Sequence, residues 1–350
     1  MTTLDFLWLE PESFRQLFTR QRPILDLRAP AEFAKGAFPG AINIPLMDDD
    51  ERAQVGRCYK QHGQQAAINL GHRLVSGDTK QRRIDQWLAF FQQYPDGVLY
   101  CFRGGLRSQI VQQWLADNNC RIRRVRGGYK ALRRYLIDSL EQLAPQFDWV
   151  VLAGRTGCDK TQLIQQRANS IDLEHLAHHR GSAFGHFPEP QPTQIDFENQ
   201  LSIELLKRAD AGHQTLFIED EGSHIGSISI PEILRESLRD ADVEVIEKPL
   251  EQRIDAIYRD YVHRASQAYP SYQQFSDALL KSLAKTRKRL GDKRYQQLHE
   301  VMRTALDTNS EKLHKLWIEQ LLTHYYDPMY DYQLHRKNAT RHRKDVTSSS

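Results

Sequence analysis

The chain has 350 residues, 48 Lys+Arg against 45 Asp+Glu, a formal net charge of +3 and 40% hydrophobic residues. That length accommodates two domains, and a mean hydropathy of -0.64 with no apolar run near the ~20 residues that span a bilayer predicts a soluble protein with no membrane partner. Met1–Glu10 lacks the basic-then-apolar pattern of a signal peptide, so a cytoplasmic location is expected. The four cysteines (Cys58, Cys101, Cys120, Cys158) show no CxxC spacing, which argues against a structural zinc site or a disulfide framework.

In chain order, residues 24–28 read as a short strand, 31–35 as a helical turn, 38–41 as a turn and 42–45 as a second strand. Val98-Leu99-Tyr100 then runs into Cys101-Phe102-Arg103-Gly104-Gly105-Leu106-Arg107-Ser108, and Ile110, Val111, Trp114 and Leu115 follow at helical spacing. A strand ending in such a loop places one sulfur against backbone N–H groups at a helix N-terminus, where an anion is favoured. A cysteine in that setting favours its nucleophilic thiolate form. Cys101 is therefore the predicted nucleophile, with Arg103, Gly104, Gly105 and Arg107 forming an anion-binding loop; Cys58 and Cys120 lack this cradle.

Residues 121–125 predict another strand, closed by Gly127-Gly128, with a helix from Tyr129 onward. Arg121, Arg123, Arg124, Arg126, Lys130, Arg133 and Arg134 carry no acid among them, and a second basic run spans Lys281 to Arg294. Each run alone is compatible with a solvated face; both together, beside phosphate-type loops, predict a polyanionic partner, with the first run as the candidate nucleic-acid contact.

After a linker at Ala144-Pro145-Gln146, residues 149–153 form a buried type of strand leading into Gly154-Arg155-Thr156-Gly157-Cys158-Asp159-Lys160-Thr161. Strand, loop and helix match the context of GxxxxGK[ST], in which amides hold a diphosphate, the Lys neutralises it and the Thr meets Mg²⁺. Gly154, Gly157, Lys160 and Thr161 are thus predicted phosphate-binding residues. Asp159 stands in place of the second glycine. At ~5 Å and an effective dielectric of ~20, its carboxylate would repel a phosphate charge by about 3 kcal/mol. The strand at 215–218 ends in Glu219-Asp220-Glu221, which makes Asp220 a candidate Mg²⁺ ligand together with Thr161. A further strand lies at 243–246, residues 252–326 read as helical, and 336–350 read as a basic, Ser-rich disordered tail.

Alternating strands and helices predict an α/β fold with parallel sheets: a domain over 1–145 and a phosphate-loop domain over 146–335 with a helical C-terminal part. Asp26-Leu27-Arg28 with Glu32-Phe33, then residues 36–45 and the Cys101 loop, resemble the rhodanese family over residues 12–140. The order of rhodanese-like and P-loop NTPase-like domains resembles the tRNA 2-selenouridine synthases. Residues 172–185, Gln191-Pro192-Thr193-Gln194, Phe197-Glu198-Asn199 and Tyr325-Tyr326-Asp327-Pro328-Met329-Tyr330 extend that resemblance.

The resemblance implies conversion of wobble 2-thiouridine in tRNA to 2-selenouridine through a geranylated intermediate. Geranyl diphosphate would be the prenyl donor and selenophosphate the selenium donor, with no tightly bound cofactor. It implies that Cys101 carries selenium and that Arg103 and Arg107 meet selenophosphate; Arg180, in a polar loop beside the phosphate site, is read from the residues as a phosphate contact. Two other readings of the residues stand beside it: an ATP-dependent sulfurtransferase acting on RNA, and a tRNA-binding protein with a degenerate phosphate loop.

Overall fold

The computed structural model describes residues 7–332; the tail expected over 336–350 lies outside the described residues. The chain begins β1 (Trp8–Leu9), α1 (Phe14–Thr19), β2 (Ile24–Asp26), α2 (Pro30–Phe33), β3 (Ala41–Asn43), α3 (Asp49–Leu74), α4 (Gly77–Gln93), β4 (Val98–Tyr100), α5 (Leu106–Asp117), β5 (Arg123–Val125) and α6 (Gly128–Leu143). After a 3-10 turn at Ala144–Gln146 come β6 (Asp148–Ala153), α7 (Lys160–Gln166), β7 (Ser170–Ile171), α8 (Leu173–Leu176), α9 (Gln194–Asp210), β8 (Thr215–Glu219), β9 (His224–Ile225), β10 (Ile228–Ser229), α10 (Glu232–Ser237) and β11 (Asp242–Val245). The rest is helical: α11 (Leu250–Ile257), α12 (Arg264–Ala268), α13 (Tyr272–Leu290), α14 (Asp292–Thr308) and α15 (Glu311–Leu321).

These elements form two units. One reaches to Gln146 and also takes in Pro192–Gln214; the other comprises Phe147–Gln191 and the chain from Thr215 onward. The first unit is built on a five-stranded sheet ordered β1-β5-β4-β2-β3, in which each strand pair is parallel. Because side chains alternate across a strand, Ile24, Val98 and Tyr100 enter one apolar cluster, while Leu25, Leu99 and Cys101 enter another. Helices cover both faces, as a parallel sheet requires.

The structure departs from the expected boundaries at one place. The sequence predicts a continuous second domain over 146–335, whereas α9 packs in the first unit: Ile203 and Leu206 share a cluster with Leu132 and Leu136 of α6. Helical periodicity shows that α9 has apolar faces but not which sheet it covers. Its N-terminal turn also grips the β2–β3 connection. Asp196 Oδ1 accepts from Ala37 N (2.6 Å) and Asn199 Nδ2 donates to Ala37 O (2.6 Å). The Phe197-Glu198-Asn199 motif thereby acquires a structural role.

The second unit holds a parallel sheet ordered β11-β6-β8-β7 and a β9–β10 hairpin. Its helical C-terminal part encloses a core of Phe275, Leu283, Met302, Trp317 and Ile318. The α/β class and the helical region are as predicted. Among the described residues no helix is long and apolar enough to cross a membrane.

Candidate functional site

In the first unit Cys101 leaves the end of β4 and is 3% exposed. Its Sγ lies 3.3 Å from Ser108 Oγ, whose hydroxyl donates to Gly105 O at 2.9 Å. The start of α6 presses on the same loop, with the Tyr129 and Lys130 amides donating to Cys101 O (2.9 Å) and Phe102 O (3.0 Å). This closeness requires glycine. A Cβ on Gly128 (φ +60) would stand 2.2 Å from Cys101 O, and one on Gly104 (φ +65) would stand 2.7 Å from Val125 O.

Beneath the loop the Asp26-Leu27-Arg28 motif forms a buried brace. Arg28 (2% exposed) donates to Asp26 Oδ2 from Nε (2.8 Å) and Nη2 (2.6 Å), and Nη2 also donates to Gly36 O (2.9 Å). Tyr100 on β4 donates its hydroxyl to the same carboxylate at 2.6 Å. The Gly36 carbonyl on the guanidinium and the Tyr100 hydroxyl on the carboxylate add the hydrogen bonds that burial of both ions requires.

The arginines divide. Arg103 is exposed at the loop, while Arg107 donates from Nη1 and Nη2 to Glu32 at 2.6 and 3.3 Å. Burial pushes the Glu32 carboxyl up, but Arg107's hydrogen bond and charge outweigh it and hold the group below its ordinary value. Arg124, expected on the nucleic-acid face, is instead 5% exposed, with its guanidinium 3.6 Å over the Trp8 ring and Nη1 3.3 Å from Gly104 O. Burial lowers its pKa and the Cys101 sulfur acts in the opposite direction, so Arg124 is a cation of the Cys101 site that sequence reasoning placed elsewhere. Of the other expected nucleic-acid contacts, Arg126 pairs with Glu10, Arg133 with Glu198 and Arg134 with Asp138. Arg121, Arg123 and Lys130 stand exposed.

In the second unit the loop between β6 and α7 lines a cavity of about 890 Å³. Asp159 caps α7 in the left-handed region (φ 59, ψ 33), a conformation that glycine takes without strain and Asp tolerates better than most residues. Its carboxylate forms ion pairs with Lys248 and, at 3.4 Å, with Arg259. The repulsion expected from this residue is therefore offset by two cations. Lys160 Nζ donates to Gly154 O at 2.6 Å, and Thr161 Oγ1 donates to Glu174 Oε2 at 2.9 Å. Gly157 (φ +86) passes so close to α11 that a Cβ would stand 2.8 Å from Arg253 O.

Facing the loop, Glu174, Glu219 and Glu221 converge with Asp220 and Arg180 on the cavity wall. Burial and then the neighbouring Glu174 raise the Glu221 carboxyl to about 8, against the pull of Lys160. Burial and neighbouring carboxylates likewise push Glu219 well up. Arg180 lies 4.4 Å over the Phe187 ring and 5.0 Å over the Tyr261 ring. Tyr261, Tyr325, Tyr326 and Tyr330 line the same cavity and add aromatic surface to it.

Buried Arg253 ties this surface to the loop. Its Nε donates to Thr156 O (2.9 Å), and Nη1 and Nη2 donate to Asp327 (3.0 and 2.6 Å). Neither Arg253 nor Glu174 is assigned a role by the sequence: Arg253 lies in no motif, Glu174 lies within residues 172–185 without a chemistry of its own, and only the fold brings them to the loop.

Among the described residues no group of three His, Cys, Asp or Glu side chains stands at metal-holding spacing. The donor chemistry nonetheless suits Mg²⁺, which binds few protein oxygens and keeps water or phosphate as its other ligands. The buried Glu219 Oε1 has no hydrogen-bond partner, and Thr161 and Asp220 both line the cavity.

A cysteine cradled beyond a parallel sheet, together with a phosphate-type loop on a second parallel sheet, defines a two-domain group-transfer protein. Residues 10–135 match the rhodanese-like domain, and residues 147–348 match the tRNA 2-selenouridine synthase AAA domain. Over 339 residues the chain is 49% identical to the tRNA 2-selenouridine synthase of Hahella chejuensis, covering 94% of this chain and 89% of that protein. Proteins of the same name from Pseudomonas putida (49% identity, 91% of this chain, 90% of the relative) and Marinobacter nauticus (48%, 94% and 93%) are similar to it. The chain belongs to the tRNA 2-selenouridine synthase family.

Proposed function

We propose that this protein converts 2-thiouridine in tRNA to 2-selenouridine through an S-geranylated base. The observation that carries the geranyl step is the makeup of the second unit's cavity. One cavity is lined both by a phosphate-type loop with Lys160 and by Tyr261, Tyr325, Tyr326 and Tyr330, a combination that suits a diphosphate joined to a hydrocarbon. The thiouridine sulfur attacks C1 of geranyl diphosphate, the C–O bond breaks, and pyrophosphate leaves with the electron pair as the base loses its N3 proton. Lys160 and Arg180 would stabilise that leaving group, an electrostatic role, and Thr161 with Asp220 would hold Mg²⁺, which supplies further charge neutralisation when bound.

In the second step the selenium of selenophosphate adds at C2, the geranylthiolate departs with its electron pair, and water takes the phosphoryl group from selenium as phosphate. Cys101 would stand beside the incoming selenium, with Arg103, Arg107 and Arg124 supplying positive charge for selenophosphate. Arg121, Arg123 and Lys130 would meet the tRNA backbone. The reaction would take place in the cytoplasm.

The test is nucleoside mass analysis after incubating the protein with 2-thiouridine tRNA. Geranyl diphosphate alone should yield geranylthiouridine, and added selenophosphate should yield selenouridine. Turnover that required ATP and thiosulfate would favour the sulfurtransferase reading; bound tRNA with no altered base would favour a binding protein.

A further inference from the structure

We infer that the first unit carries a separate subsite for the hydrocarbon chain borne by the base during selenium exchange. This rests on the proposed geranylated intermediate and deepens it. The α3 segment runs 26 residues, is broken at Gly63 (φ 80, ψ -178) and buries only Ala67, leaving Val55 and Ile68 half-buried and Tyr59 exposed. Val55, Tyr59 and Ile68 of that segment line a cavity of about 510 Å³ together with Met47, Ile110 and Trp114. Tyr59 is 58% exposed and Leu106, on the same cavity, is 43% exposed.

The cavity is tied to the reactive sulfur through two elements. Met47, Leu46, Val75 and Trp114 line it and belong to the same buried cluster as Cys101. Leu106 and Ile110 project from the first turns of α5, the helix that the Cys101 loop opens, and their i, i+4 spacing puts them on one face. An apolar chain seated there would hold its sulfur end toward the loop.

Charge at the rim selects what carries the chain. Arg52, Lys60 and Arg107 border the cavity, and both arginines lean on the single carboxylate Glu32. Three cations and no carboxylate line the cavity, and the one carboxylate Glu32 pairs with two of them, which leaves positive charge at the lining for RNA phosphates. The occupant is thus an apolar chain attached to a polyanion.

The test uses the full chain and two anticodon stem-loops, one with 2-thiouridine and one with S-geranyl-2-thiouridine. Wild type should bind the geranylated stem-loop about tenfold more tightly, and Val55→Trp, which fills the cavity, should reduce the preference to about twofold or less. A stem-loop whose S-alkyl chain ends in a diazirine should label peptides within 46–75 or 106–114, a readout independent of any variant. A preference that survives in folded Val55→Trp, with labelling confined to the second unit, overturns the subsite. Selenophosphate with the geranylated stem-loop separates the two ideas: no selenouridine from wild type overturns the geranylated intermediate, whereas selenouridine with unchanged preference overturns only the subsite.

Discussion

At Cys101 the sulfur is enclosed rather than displayed, and its nearest side-chain partner is the Ser108 hydroxyl. Cys101→Ser nearly preserves shape, so the melting temperature should hold while selenouridine formation by mass analysis is abolished; retained turnover would remove Cys101 from the mechanism. Asp159→Gly removes the left-handed strain and releases Lys248 and Arg259. Pyrophosphate affinity, measured by calorimetry, should rise by about 5- to 10-fold, and an unchanged value would show that those cations do not reach the ligand. Glu221, near Glu174, Asp220 and Lys160, is neutral in the folded protein below about 8 and charged above it. Metal-free pyrophosphate affinity should therefore fall as pH rises through about 8. The sign for stability agrees: with a folded pKa above the unfolded one, the group's contribution is complete below the unfolded value of 4.5 and is lost as pH rises to about 8.

Among the elements, α11 and the segment after α15 shape the phosphate loop through Arg253. Its side chain is 4% exposed and the Asp327 partner 18%. Arg253→Ala leaves a carboxylate unpaired and a loop carbonyl without its donor, and should cost about 3–5 kcal/mol in urea unfolding. A loss below about 1 kcal/mol would mean that other contacts shape the loop. Helix α9 shows a similar dependence at greater sequence distance, since it reaches back to Ala37 and to Arg133 of α6. The sequence shows these helices and strands through periodicity. No element is expected over α3 or α4: α3 has one buried residue and little contrast between its faces, whereas Ile84, Trp87 and Phe91 of α4 do recur at helical spacing.

Across the molecule, positive charge is less available than the composition suggests. Arg124 is buried under the Cys101 loop, and Arg126, Arg133 and Arg134 are paired with acids. Replacing Arg121, Arg123 and Lys130 together by Ala should weaken tRNA binding and flatten its salt dependence by about one unit of slope for each phosphate no longer neutralised. An unaltered slope in filter binding would move the RNA surface elsewhere, with the run from Lys281 to Arg294 the next to test. By itself the sequence determines the class of both sheets, the cysteine loop and the phosphate-type loop, because each of those signals is complete within one strand, its turn and the following helix. Only the tertiary structure decides that Arg124 serves the Cys101 site, that Glu174 and Arg253 serve the phosphate loop, that Asp159 is neutralised, and that α9 belongs to the first unit. Those interactions join residues up to 162 positions apart, and which charges or apolar faces meet over such distances depends on how the sheets are ordered and covered.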